Sequence, residues 1–130
     1  MSERDIKIYD NVFTYNFMSK LYRHAIEADY NIGWADTNII ENRGRVFMFS
    51  LWDLPDFIKS GFLDNIKNDD LLKKIKNRFP SRCVINCGTF GDIYHPHVHG
   101  DKEVLLYYVN LDWKVEWNGE TAFYSDNLKE

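Results

Sequence analysis

From Tyr94 to Asp101 the chain reads Tyr-His-Pro-His-Val-His-Gly-Asp. This two-residue repeat constrains the fold more than any other stretch. Side chains of an extended strand alternate between faces, so His95, His97, His99 and Asp101 fall on one side and Pro96 and Val98 on the other. Three of the chain's four histidines lie here. An apolar run, Val104-Leu105-Leu106-Tyr107-Tyr108-Val109, follows at once and reads as a second strand.

Imidazoles and a carboxylate on one face suit a first-row divalent metal, and open-sided Fe(II) sites favour two histidines and one carboxylate. The competing reading is a surface loop rich in His and Asp that binds nothing. The strict alternation, the His99-x-Asp101 pair and the strand that follows favour the metal site.

The rest of the chain divides by pattern. Ile6 to Asp10 alternates weakly and reads as a short strand. Thr14 or Asn16 can cap a helix, whose apolar residues Phe17, Met18, Leu21, Tyr22, Ala25 and Ile26 recur at helical spacing. His24 lies on the polar side and reads as a solvated helix residue. Asn31 and Gly33 end this region, and Ile32 to Ala35 begin a strand. Asn38 to Arg45 is a polar loop, and Val46 to Trp52 is dense in β-favouring residues. Asp53 and Pro55 open a short helix that Gly61 closes. Asp69 and Asp70 open another, with Leu71, Leu72 and Ile75 as its stripe, basic residues in its last turns and Pro80 beyond.

From Arg82 onward the pattern is strand and turn. Cys83 to Asn86 reads as a strand, Gly88 to Gly91 as a turn, Ile93 to Asp101 and Val104 to Asn110 as strands. Leu111 to Glu120 reads as a long turn, and Thr121 to Tyr124 as the start of another strand. The expectation is one α+β domain over 1–130 with a mainly β core. Residues 1–81 form a helical half, and 82–130 the first strands of a β-sandwich or jelly roll with the helices on one sheet.

Composition narrows the class. With 45% hydrophobic and 16% aromatic residues the chain is globular. A formal net charge of −4 with interspersed signs gives nucleic-acid binding no electrostatic support. No run approaches the ~20 apolar residues of a membrane span, and the charged N-terminus does not resemble a signal peptide. Cys83 and Cys87, four apart in one strand that rises ~3.3 Å per residue, exceed the ~7 Å reach of a disulfide. Reduced thiols and a cytoplasmic location are expected.

Several segments carry a family likeness. Asn86-Cys87-Gly88-Thr89-Phe90-Gly91, Tyr94 to Asp101, Leu106-Tyr107-Tyr108-Val109-Asn110, Trp113, Trp117 and Asn118-Gly119-Glu120-Thr121-Ala122-Phe123-Tyr124 resemble the 2-oxoglutarate- and Fe(II)-dependent dioxygenases. The branch they look like is the prolyl-4-hydroxylase-like one, of the bacterial and phage type. Ile8 to Phe13, leading into a helix, is also similar to that branch. The resemblance implies a double-stranded β-helix around one iron. It also implies an oxygenase that couples oxidative decarboxylation of 2-oxoglutarate, with O2, to hydroxylation of a substrate, either a protein side chain or a small molecule. Tyr108 matches a tyrosine that assists 2-oxoglutarate binding, and a core aromatic is the alternative. Asn86 matches a site-lining position, with a turn-capping role as the alternative.

Two departures from the family pattern stand out. His-x-Asp gives His99 and Asp101 as ligands, whereas alignment through Tyr94 and Pro96 gives His97, with His99 in the carboxylate's place. His97, His99 and Asp101 therefore all remain candidates. No histidine follows His99, and the basic residues after Asp101 are Lys102, Lys114 and Lys129. The family's distal histidine and its basic 2-oxoglutarate clamp are thus unmatched. The expectation is a jelly roll truncated at its C-terminus, or one piece of a split gene, and inactive as a fragment alone. Two rival readings stand beside it. Gly91, His97-x-His99 and Glu103 fit the first metal motif of the cupins, with Asn110 where that motif ends in glycine. A non-catalytic β fragment could instead bind a partner through Trp113, Trp117, Phe123 and Tyr124.

Overall fold

A computed structural model describes residues 6–34, 47–88, 103–117, 121 and 123. The elements in order are α1 (Tyr15–Glu27), β1 (Asn31–Trp34), β2 (Phe47–Trp52), α2 (Leu54–Lys59), α3 (Asp69–Ile75), β3 (Cys83–Cys87) and a single 3-10 turn at Val115–Trp117. Among the described residues the class is α+β, with three helices and a small open antiparallel sheet in the order β1-β2-β3. The chain divides into two compact units, Met1–Glu27 with Leu51–Val84, and Ala28–Ser50 with Ile85–Glu130.

The first unit is built on aromatic packing. Thr14 caps α1: its Oγ1 accepts from the Phe17 amide at 3.3 Å, and its carbonyl from the Met18 amide at 2.9 Å. The cap sets the helix register, so Phe17, Leu21 and Ala25 share one buried stripe at four-residue spacing. Ile26, though apolar, points to solvent. Phe13, just before the cap, packs 5.1 Å from Phe17 and 5.0 Å edge-on to Phe62. Phe62 lies 5.1 Å from Phe57, and Phe57 lies 5.2 Å edge-on to Trp52. Ile66 and Leu71 complete this core.

Helix α2 opens after Asp53 with Pro55 in its first turn, where a missing N–H costs nothing. It closes at Gly61, whose φ of +82° turns the chain so that Phe62 enters the core. Only glycine adopts that conformation without steric cost. A Cβ there would also meet Asn65 Nδ2 at 2.8 Å. Asp69 and Asp70 stand in the first turn of α3, and Lys73 and Lys74 in its last, as the helix dipole favours. The cap is Asn68. Its Oδ1 accepts from the Leu71 amide at 3.1 Å, while its Nδ2 donates to the Asp10 carbonyl at 3.1 Å.

The Asn68 link explains a difference from the sequence expectation. Ile6 to Asp10 is not a strand. The Asp10 and Val12 carbonyls accept from Asn68 Nδ2 and the Lys67 amide, the latter at 2.8 Å. The segment is therefore tied to the entrance of α3, and not to a sheet edge. Asn11, at φ 54°, turns the chain between these two bonds.

In the sheet, β1 pairs antiparallel with β2: Asn31 faces Phe49, Ile32 faces Met48, and Trp34 faces Phe47. Gly33 is the extra residue at that register shift, as expected of a bulge. Val104 to Asn110, read as a strand from its β-favouring residues, is neither strand nor helix. β propensity reports how well a side chain fits a pleated surface and does not by itself make a strand. Thr121 and Phe123 likewise carry no strand. The expected loop at 38–45, most of the 88–91 turn and the His-rich strand at 93–101 lie outside the described residues.

Two substitutions test this packing. Asn68→Ala should lower stability by about 1 kcal/mol, the usual worth of such a cap. Asn68→Asp, which keeps the acceptor and loses the donor to Asp10, should cost less, as read from urea midpoints. Equal losses would show that the Asp10 tie carries the effect. Gly61→Ala should cost roughly 1–2 kcal/mol from its left-handed backbone alone, read the same way; an unchanged midpoint would refute the turn's role.

Candidate functional site

His97, His99 and Asp101, the sequence's candidate metal ligands, lie outside the described residues, as does His95. Among the described residues no group of three His, Cys, Asp or Glu side chains is placed to hold a metal ion. The residues that can be located are those around the candidate ligands in sequence.

Tyr108 is 54% exposed, so it is not a core aromatic. Its hydroxyl is hydrogen-bonded to Thr121 Oγ1. The partners of this contact lie 13 residues apart in the chain. A phenol in this setting can donate to an anionic oxygen while the threonine hydroxyl orients it. The neighbouring Tyr107 is half-buried, and burial raises its phenol above the ordinary value of 10.0. The two adjacent tyrosines thus face different surroundings.

Other candidates separate equally clearly. Asn86 and Glu103 are exposed. Trp113, Trp117 and Phe123 are 48%, 52% and 62% exposed, so they do not form a core, and Lys114 Nζ lies 5.5 Å from the centre of the Trp117 ring. Cys83 and Cys87 are free thiols, as their spacing in one strand requires. Burial pushes the Cys83 thiol above its ordinary 9.0. Tyr30 is raised above 10.0, chiefly by burial and further by the nearby Cys87 sulfur. His24 is exposed on α1 as expected, yet its ring stacks on Trp52 at 4.1 Å and 23°. Sequence reading missed this stack because the two residues lie on different elements.

A further feature went unread in the sequence. A shallow groove of about 610 Å³ runs between Lys7 to Asp10 and α3, lined also by Asn68, Asp70, Lys73 and Lys74. Its lysines and carboxylates mix both signs, so it selects no class of ligand by charge. Asn68, three residues before Leu71, was the available signal for its floor. No helix among the described residues is long and apolar enough to cross a membrane. Comparison with protein-family models, curated proteins and solved structures finds no match.

The three raised groups set a direction for pH dependence. Burial disfavours the thiolate of Cys83 and the phenolates of Tyr30 and Tyr107, so the folded chain holds these protons more tightly than the unfolded one. Their contribution is fully present below the ordinary values of 9.0 and 10.0 and is lost as pH rises through the higher folded values. The urea midpoint should therefore fall as pH rises past 9.0 and on past 10.0. In a Cys87→Ser variant, alkylation of Cys83 should stay slow through the ordinary thiol range. A flat midpoint together with fast alkylation near neutrality would contradict this account.

Proposed function

We propose that this chain is a 2-oxoglutarate- and Fe(II)-dependent oxygenase (hydroxylase) domain built on a double-stranded β-helix, with the iron held by ligands drawn from His97, His99 and Asp101. The observation that carries the reading is the strict His-x-His-x-Asp alternation, with the Tyr107-Tyr108-Val109-Asn110 segment following after Lys102 to Leu106. The donor chemistry fits. Two imidazole nitrogens and a carboxylate oxygen are the set that open-sided Fe(II) sites take, and they leave positions for a second molecule. Bound there, the metal supplies oxygen activation coupled to decarboxylation of 2-oxoglutarate to succinate.

The chain's own residues would bind and orient. His99 and Asp101, which share a face if the run is extended, set two corners of the site; in the alternative register His97 is the histidine ligand and His99 takes the carboxylate's place. Tyr108 is exposed and its hydroxyl is held by Thr121, so it can donate to the far carboxylate of 2-oxoglutarate without competing for core packing. Tyr107 is half-buried beside it and anchors the segment. These placements support the reading through Tyr108 alone, since the ligands lie outside the described residues.

A second reading rests on a different observation. Trp113, Trp117 and Phe123 are exposed, which suits a non-catalytic domain that binds a partner through its aromatic surface.

Metal binding separates these readings. Anaerobic titration of the protein with Fe(II), or with Co(II) as a spectroscopic probe, should show one bound equivalent, lost in His99→Ala and in Asp101→Ala. Glu103→Gln should leave binding intact; loss of binding there would instead support a cupin-type site. Calorimetry on the metal-loaded protein should show that Tyr108→Phe weakens 2-oxoglutarate binding by roughly tenfold, the worth of one hydrogen bond to a charged group. No metal binding in the parent chain, or binding indifferent to His99 and Asp101, would overturn the oxygenase reading and leave the partner-binding one.

A further inference from the structure

We draw no further inference here: the strongest candidate, the exposed apolar patch along the 103–117 segment that includes Val104, Leu106, Trp113 and Trp117, carries nothing because nothing in the structure shows what covers it.

Discussion

A continuous series of stacked and edge-on rings holds the first unit together. It runs from Phe17 through Phe13, Phe62 and Phe57 to Trp52 and ends on His24. Each contact brings apolar burial plus an electrostatic preference for tilted or offset geometry, about 0.5–1.5 kcal/mol beyond area for a favourable aromatic pair. The series joins α1, the residue before its cap, the end of β2, α2 and the turn after Gly61. Its two ends both lie on α1, since Phe17 and His24 are residues of that helix. The rings therefore fix where α2 and the 61–66 turn sit against α1.

Two polar devices position those rings. Thr14 starts α1 at the register that buries Phe17, Leu21 and Ala25. Asn68 uses both ends of one amide, capping α3 and tying the Asp10 carbonyl to it. The second device accounts for the shape of the N-terminal segment. Once the Asp10 and Val12 carbonyls are bonded at the α3 entrance, those two acceptors are already satisfied without a β ladder.

The second unit follows a different physical scheme. Among the described residues, every buried apolar side chain belongs to the first unit. The described part of the second holds β1 with its bulge at Gly33, the greater part of β2 and of β3, and a segment rich in exposed aromatic and aliphatic side chains. A hydrogen bond joins Tyr108 to Thr121 in this unit. The proposed oxygenase chemistry would draw on that segment, where a hydroxyl pair orients a polar group outside any packed core.

The helices were legible from local signals. Cap residues, four-residue apolar spacing, an early proline and a closing glycine all act within one turn of the residues they govern, so α1, α2 and α3 follow from the chain itself. The strands at Asn31–Trp34, Phe47–Trp52 and Cys83–Cys87 were legible for a related reason, since β-branched and aromatic runs mark where a ladder can form. The inability of Cys83 and Cys87 to bridge was likewise set by residue identity and spacing. Long-range choices belonged to the tertiary structure. It alone decided that Asp10 bonds to a helix entrance, that Tyr108 faces solvent against Thr121, and that His24 stacks on Trp52. In each case the deciding partner lies far along the chain or on another element, and a hydrogen bond or ring contact forms only once folding has brought the two together.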